Sequence, residues 1–286
     1  MIREEWIKKG EALLTEIRDA QPDTDEIMLW RIGQCGYVIR YGNKVIYIDP
    51  ILNDIAENGM SRRYYEPPFS AREAADIAGA DYVICTHGHA DHLAGETVSD
   101  FMQADTMPVF IVPSGCRKAM ETISEQAGRH PEIIYMQDGQ SRNLTEDISI
   151  RALSAAHPKH YLDADDENMA LCYQLKLGSK TIIHLGDTYL TEGLYEGLMG
   201  LVPPDVFLPP INGDDLFRKM RNCIGNMEAE EAAKLAVRLK AGTAIPTHYD
   251  MIRDNTVDPR RFSDEMERLG AADHCRILKL GECILT

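Results

Sequence analysis

Three histidines and an aspartate occur within six residues of this 286-residue chain, in the segment HGHADH from His87 to His92. The segment directly follows DYVICT, an apolar run that predicts a buried strand. In an extended or turning segment, His87 and His89 project to the same side, and two imidazoles can then bind one metal ion at about 2.0–2.1 Å. Asp91 and His92 lie on the following turn and point at a neighbouring position. This geometry indicates two metal ions side by side, and a polar loop with incidental histidines is the disfavoured alternative.

The histidine segment must be positioned by the strands and short helices that alternate along the chain. Residues 2–20 predict an amphipathic helix, Gly42–Asn43 a hairpin turn, Ser70–Glu73 a capping box and Gly281–Glu282 a second, small hairpin. No linker or repeat divides the sequence. We therefore predict the α/β class and a single layered domain over 1–286, rather than a doubly wound sheet, because both ends of the chain resemble hairpins.

The motif HxHxDH after a strand resembles that of the metallo-β-lactamase superfamily, whose fold is a four-layer αββα sandwich with metals at one edge between two sheets. YIDP, SAAHP, HLGDT and PTHYD match the other conserved positions of that superfamily. The resemblance implies seven metal ligands: His87, His89, Asp91, His92, His157, Asp187 and His248. It also implies that Asp187 bridges the metals and that Asp49 orients ligands without binding directly. The expected catalytic residues are therefore Asp49, Asp91 and Asp187.

Within the superfamily, the chain resembles the L-ascorbate-6-phosphate lactonase-like branch of metal-dependent hydrolases. The similar stretches are WRIGQCGYVIR, VIYIDPI, THGHADH, IHLGD and NMEAEEAA through IPTHYD. This implies a metal-dependent hydrolase with two divalent ions, Zn²⁺ or Mn²⁺, whose metal-bound hydroxide attacks a phosphorylated sugar lactone such as L-ascorbate 6-phosphate. Two alternatives remain open: a phosphodiesterase of the same superfamily, and a non-catalytic metal-binding regulatory protein.

Basic side chains are scarce in this acidic chain, so those in polar segments are candidates for binding a small anionic substrate. Arg62, Arg63 and Arg218 are the predicted bases. His157 and His160 compete for one ligand position. His157 lies nearer the strand end and is favoured as the ligand, which leaves His160 to face the substrate.

The net charge of −16 disfavours nucleic acid and anionic membrane surfaces as partners. The N-terminus MIREEWIKKG has no apolar segment, and the seven cysteines are odd in number and form no CxxC pair. We therefore expect a cytoplasmic protein with reduced thiols, Cys35 being a packing thiol. The apolar face of the first helix packs either on the domain or on another subunit, and we expect a homo-oligomer.

Overall fold

The computed structural model describes residues 5–57, 60–157, 167–221 and 223–286. Its backbone divides into two units, which we call the N-terminal unit (Ile2–Met136 with Lys279–Thr286) and the C-terminal unit (Gln137–Leu278). Each unit holds one mixed β-sheet and its own helices, so the predicted α/β class is confirmed. A single domain over 1–286 stays a prediction.

The N-terminal unit is built on a seven-stranded sheet, with strands numbered here along the chain. In order across the sheet they are β15 (Cys283–Leu285), β1 (Met28–Gly33), β2 (Gly36–Tyr41), β3 (Lys44–Ile48), β6 (Tyr82–Ile84), β7 (Val109–Pro113) and β8 (Ile133–Met136). Strands β15 to β3 pair antiparallel and β3 to β8 pair parallel. Strands β6 and β7 are almost entirely buried, as apolar runs in the parallel part of a sheet should be. A short ribbon of β4 (Ala56–Glu57) and β5 (Met60–Ser61) lies between β3 and β6 in the sequence.

Four helices belong to the same unit. They are α1 (Gly10–Asp19), α2 (Ala71–Glu73, continued by a π-helical turn over Ala74–Ala78), α3 (Gly95–Met102) and α4 (Arg117–Ala127, preceded by a 3₁₀ turn over Ser114–Cys116). The predicted capping box is confirmed: the Ser70 hydroxyl accepts from the Glu73 N–H, and the Glu73 carboxylate accepts from the Ser70 N–H.

Helix α1 is shorter than the helix predicted over residues 2–20. Among the described residues it begins at Gly10, whose φ of +61° is incompatible with the interior of a right-handed helix. The preceding chain is tied elsewhere, because Ile7 N–H donates to Leu280 O at 2.9 Å. Leu13, Leu14 and Ile17 are buried in the core of this unit. The apolar face is thus covered within the chain, and the homo-oligomer stays a prediction.

The predicted C-terminal hairpin is present only in part. Gly281 makes a turn with a φ of +77°. Only Cys283–Leu285 is a strand, however, and it pairs antiparallel with β1 rather than with the residues before the turn. Such a short strand is typical of the edge of a sheet, which is where Cys283–Leu285 lies.

The C-terminal unit is built on a six-stranded sheet. In order across the sheet its strands are β14 (Thr243–Ala244), β13 (Val206–Leu208), β12 (Lys180–His184), β11 (Leu171–Leu177), β10 (Ile148–Ser154) and β9 (Ser141–Asn143). The pairs from β9 to β12 are antiparallel and those from β12 to β14 are parallel. Strands β10, β12, β13 and β14 therefore run in one direction, and their carboxyl ends share one edge of this sheet.

The helices of this unit are α5 (Glu192–Met199), α6 (Leu216–Met220), α7 (Ala229–Arg238) and α8 (Arg260–Arg268). Asparagine is a favoured N-cap residue, but Asn226 does not cap α7. The N-cap residue is Glu228, and the Asn226 amide instead donates to the Asn212 side chain at 2.9 Å. In the part of the chain that the structure describes, no helix has the length and apolar character needed to cross a membrane.

The core of the N-terminal unit contains one hydroxyl that we expect to be destabilising. Tyr47 on β3 is fully buried and packs on Phe101 of α3, with ring centroids 5.1 Å apart. Its hydroxyl has no hydrogen-bond partner among the described residues, and an unsatisfied buried polar group costs about 1–3 kcal/mol. Tyr47→Phe should therefore raise the free energy of unfolding by about 1 kcal/mol, measured by urea denaturation at neutral pH.

The pH dependence gives an independent check on the same substitution. Burial raises the pKa of Tyr47 above its ordinary value of 10.0, so the stability of the wild type should fall as the pH rises above that value, and the variant should lack this loss. Tyr249→Phe is the control, because the Tyr249 hydroxyl donates to Leu278 O at 3.4 Å and its removal should not stabilise. If Tyr47→Phe lost as much stability as the control, the Tyr47 hydroxyl would not be destabilising and the prediction would be wrong.

Candidate functional site

The HGHADH segment lies at the carboxyl edge of the parallel strands of the N-terminal unit. It begins three residues after the end of β6 at Ile84 and closes into a turn, because the His92 and Leu93 N–H groups both donate to His89 O at 2.9 and 2.8 Å. His87 and His92 are buried, whereas His89 is exposed. His87 Nε2 and His89 Nδ1 are 2.9 Å apart. One ring nitrogen of each histidine therefore faces the other.

Asp49 organises the two buried histidines from the end of the adjacent strand, β3. Its carboxylate accepts hydrogen bonds from Thr86 N–H, Thr86 Oγ1–H and His92 Nδ1, each at 2.7 Å. Since the Thr86 hydroxyl donates to Asp49, it accepts from His87 Nδ1 at 3.2 Å. These partners assign the proton of both rings to Nδ1 and make Nε2 the unprotonated nitrogen of each. Asp49 is fully buried, with a φ of +43°, a strained conformation for a residue other than glycine.

Asp91 has a buried partner that sequence reasoning missed. Gln34 Nε2 donates to Asp91 Oδ2 at 3.0 Å, and the same oxygen lies 3.8 Å from His92 Nε2. Gln34 belongs to the segment GQCGY, for which the sequence predicted only that Cys35 is a packing thiol. The sequence signal was the glycine on either side of Gln34–Cys35, which indicates a tight turn that brings its residues close to other backbone.

The other three predicted ligands meet in the C-terminal unit. His157 follows β10, Asp187 follows β12 and His248 follows β14, all at the carboxyl edge of the sheet. Asp187 Oδ2 lies 3.5 Å from His157 Nε2 and 3.1 Å from His248 Nε2, and all three side chains are buried. His248 has a φ of +56°, so two of the predicted site residues adopt strained backbone conformations.

Backbone hydrogen bonds hold the loops that carry these three residues. Ala156 N–H donates to Thr188 Oγ1 at 2.9 Å, and Tyr189 N–H donates to Ala156 O at 2.9 Å, which joins the loops of His157 and Asp187. Thr247, next to His248, exchanges hydrogen bonds with Pro209 and Ile211 in the loop after β13. The ligand positions are thus set by loops that are fastened to one another.

The donor chemistry of each group fits a divalent cation. Imidazole nitrogen suits zinc, and added carboxylate oxygen also allows manganese. Two ligands of one tetrahedral ion with bonds of about 2.05 Å lie about 3.3 Å apart. The separations of 2.9 Å for His87 with His89, and of 3.1–3.5 Å around Asp187, are close to that value.

The predicted substrate-binding bases are largely used inside the fold. Arg63 is buried, and its guanidinium donates to the backbone oxygens of Ile51, Asn53 and Tyr65 at 2.7–3.0 Å. Arg62 is half-buried in the same segment, and His160 lies outside the described residues. Substrate binding by Arg63 gains no support from these contacts.

Arg218 anchors a relay of buried amides that the sequence did not reveal. Its Nε donates to Asn255 Oδ1 at 3.0 Å and its Nη2 to Thr256 O at 2.9 Å. Asn212 Nδ2 donates to the same Asn255 oxygen at 2.9 Å, and Asn226 Nδ2 donates to Asn212 Oδ1 at 2.9 Å. The relay braces the loop after β13, next to the loop of His248, and this is a structural use of Arg218.

A cleft of about 630 Å³ opens beside the histidine segment of the N-terminal unit. Its lining includes Ala90, which stands between His89 and Asp91, together with Asp54, Glu96 and Asp100. No Lys, Arg or His is among the described residues that line it. The electrostatic potential of this cleft therefore disfavours an anion.

Two buried cysteines of the N-terminal unit, Cys85 and Cys116, are not nucleophiles at neutral pH. Burial raises the pKa of Cys116 to about 12 and that of Cys85 well above its ordinary value, so neither forms a thiolate at neutral pH. Cys35 is buried, consistent with a packing role.

His184 is a buried strand residue whose Nδ1 accepts from Gly186 N–H at 3.0 Å, as expected of a core histidine.

Known proteins share this fold over most of the chain. The Igni18 metallo hydrolase from Ignicoccus hospitalis matches with a TM-score of 0.69 at 21% identity, over 91% of this chain and 98% of that one. An isothiocyanate hydrolase from Delia radicum gut bacteria matches with a TM-score of 0.69 at 19% identity, over 90% and 98%. At such identities the likeness shows the fold alone.

Sequence comparisons give the family. A UPF0173 metal-dependent hydrolase from Pelotomaculum thermopropionicum is 29% identical over 260 residues, which cover 88% of this chain and 96% of the relative. One from Pyrococcus furiosus is 27% identical over 256 residues, with the same coverage. The family model described as Beta-lactamase superfamily domain matches residues 44–249. Because that match spans more than half of the chain, and the fold agrees, the chain belongs to the metallo-β-lactamase superfamily.

Proposed function

We propose that this protein is a lactonase that binds two divalent cations, Zn²⁺ or Mn²⁺, and hydrolyses a small, phosphorylated sugar lactone such as L-ascorbate 6-phosphate lactone. The observation that supports a metal-dependent hydrolase is the grouping of imidazoles and carboxylates at strand ends in each unit. The relatives named metal-dependent hydrolases agree with it. The lactone rests on the resemblance of the sequence to the lactonase-like branch.

The seven predicted ligands divide by position in this proposal. His87 and His89 would hold one cation and Asp91 and His92 the other, and the resemblance to the superfamily adds Asp187 as a ligand. His157 and His248, which flank the Asp187 carboxylate, complete the set. When bound, the cations supply Lewis acidity and lower the pKa of a water molecule, so that hydroxide is available near neutral pH.

The protein's own residues orient and shield rather than attack. Asp49 and Thr86 fix the tautomer and direction of the His87 and His92 rings, so that both present Nε2. The protonated thiols of Cys85 and Cys116 do not compete as nucleophiles. Hydrolysis then consumes one water, breaks the ring C–O bond of the lactone, and yields a carboxylate and an alcohol.

Arg62 is one of the bases that the sequence offers for the substrate phosphate, and it is the one that we propose to test. Arg63 and Arg218 already donate to protein oxygens, and releasing them would leave those acceptors without partners. The cleft beside Ala90 carries three carboxylates, and like charge disfavours the phosphate there. The neutral part of the substrate is the part that suits this cleft.

We keep the cytoplasmic location and the homo-oligomer as parts of this proposal. All seven cysteines lie in the described residues and form no disulfide, as expected of a reducing compartment. An oligomer would have to use a surface other than the apolar face of α1, because Leu13, Leu14 and Ile17 are buried within the chain.

The first prediction of this proposal concerns metal binding. Purified wild-type protein should carry up to two zinc or manganese ions per chain, and His89→Ala should lose metal and activity together. Asp49→Ala should weaken metal binding about 10–100-fold, because it removes only the group that orients the ligands. Elemental analysis and competition titration measure both effects. His130→Ala, which alters an exposed histidine of the same unit, is the control, and the idea fails if the wild type binds no transition metal.

The second prediction concerns the substrate. The metal-loaded protein should hydrolyse L-ascorbate 6-phosphate lactone faster than unphosphorylated lactones. Arg62→Ala should raise KM more than it lowers kcat, since a phosphate contact is equal in the ground and transition states. Initial rates on these lactones and on bis(p-nitrophenyl) phosphate decide between activities. Turnover confined to the phosphodiester would replace the lactonase by the phosphodiesterase alternative, and no turnover in a fully metal-loaded protein would favour the regulatory one.

A further inference from the structure

The turn between β1 and β2 has an unusual backbone for the residue that it carries. Gln34 has a φ of +53° and is fully buried, although positive φ favours glycine. Gly33 before it has a φ of +96°. A Cβ on Gly36 would approach Gly33 O to 2.9 Å and Asp49 O to 3.1 Å, so the turn lies directly against the Asp49 backbone. A non-glycine residue is strained in such a position, and such strain is typical of residues whose side chains have a functional role.

That side chain contacts one of the proposed metal ligands. Gln34 Nε2 donates to Asp91 Oδ2 at 3.0 Å, a hydrogen bond to a charged acceptor. The same carboxylate oxygen is the one that lies 3.8 Å from His92 Nε2. A carboxylate oxygen has two lone-pair directions, so the amide can hold one while the other is directed at a cation.

Gln34 is itself held in place. Its N–H donates to the Tyr65 hydroxyl at 3.3 Å. Tyr65 O accepts from Arg63 Nε at 3.0 Å, and the Tyr65 ring packs edge-on against Trp6 with centroids 5.8 Å apart. The buried Arg63 is thereby part of the support for this turn, which gives its guanidinium a use other than substrate binding.

We propose that Gln34 is a positioning residue for the second metal ion, the one assigned to Asp91 and His92. Asp49 fixes the His92 ring through Nδ1, and Gln34 fixes the neighbouring Asp91 oxygen, so both ligands are oriented before the ion binds. Asp91 is assigned to the second ion alone, so the hydrogen bond from Gln34 to Asp91 acts on that ion. The inference rests on the proposed function only in taking Asp91 as a metal ligand.

The amide should therefore act on one ion and not on the other. Loss of an outer hydrogen bond to a ligand typically lowers metal affinity about 10–100-fold. In Gln34→Met, which keeps length and removes the donor, the affinity for the second zinc ion should fall by about that factor, and the affinity for the first should stay unchanged. Gln34→Gly should show the same loss while tolerating the positive φ, so that a folding defect cannot explain it.

The test is a zinc titration of the metal-depleted, full-length protein against a chromophoric chelator, which resolves the two dissociation constants. Gln103→Met is the matched control, because the Gln103 amide donates to Ala127 O at 2.9 Å in the same unit, outside the proposed ligand set. A double-mutant cycle completes it: in an Asp91→Ala background, Gln34→Met should have no further effect on the remaining affinity.

The outcomes separate this inference from the proposed function. The positioning role would be overturned if Gln34→Met bound both zinc ions with wild-type affinity. It would also be overturned if Gln34→Met lowered zinc affinity by the same factor in the wild-type and in the Asp91→Ala background. The inference would also be overturned if Gln34→Gly kept its affinity for the second zinc ion while Gln34→Met lost it. Backbone strain, rather than the missing amide, would then explain the loss in Gln34→Met. The titration requires no turnover, so a wild type that binds two zinc ions but hydrolyses no lactone would contradict the proposed substrate and leave the role of Gln34 standing.

Discussion

The buried carboxylate of Asp49 accepts three short hydrogen bonds, and the histidine segment takes its shape from them. Two come from Thr86 and one from His92 Nδ1. A buried carboxylate is tolerated only when its charge is well solvated by donors, and here the donors are the residues around the proposed ligands. Removal of this carboxylate would release the His92 ring and, through the Thr86 hydroxyl, the His87 ring. In the proposed metal site, Asp49 therefore orients the ligands without being one of them.

Both units position their ligands by the same device. Strands that run in one direction bring their carboxyl ends to one edge of a sheet, and the loops that follow carry the polar side chains. In the N-terminal unit the strands before Asp49 and His87 are direct neighbours, and Asp49 N–H donates to Ile84 O at 2.8 Å. In the C-terminal unit Asp187 lies between His157 and His248. Rigid strands thus bear the proposed ligands. Three of the five non-glycine residues with positive φ in the described chain, Gln34, Asp49 and His248, belong to or contact the proposed site.

Residue types and local patterns predicted much of this arrangement. The apolar runs before Asp49, His87 and Asp187 are strands, the Gly42–Asn43 turn joins β2 and β3, and the Ser70 capping box is present. These features depend on a few neighbouring residues, and so a single sequence contains them. The predicted N-terminal boundary of α1 was wrong because the helix begins at Gly10, whose positive φ the periodicity of the sequence does not reveal.

Contacts between distant segments could not be predicted in the same way. Gln34 and Asp91 are 57 residues apart, and Arg218 and Asn255 are 37 apart. Arg63 and Arg218 resembled substrate-binding bases because scarcity of positive charge was the only guide. Their burial, and the carbonyl and amide oxygens that they bind, follow from tertiary packing alone.

We propose that histidine and aspartate side chains, and no cysteine, bind two metal ions in this protein. Anomalous diffraction at the zinc edge from zinc-loaded crystals tests it most directly. The account predicts two anomalous peaks, with His87 and His89 at one, Asp91 and His92 at the other, and nitrogen or oxygen ligands at about 2.0–2.2 Å. A peak bound by a cysteine sulfur at about 2.3 Å, or no peak beside the histidine segment, would contradict it.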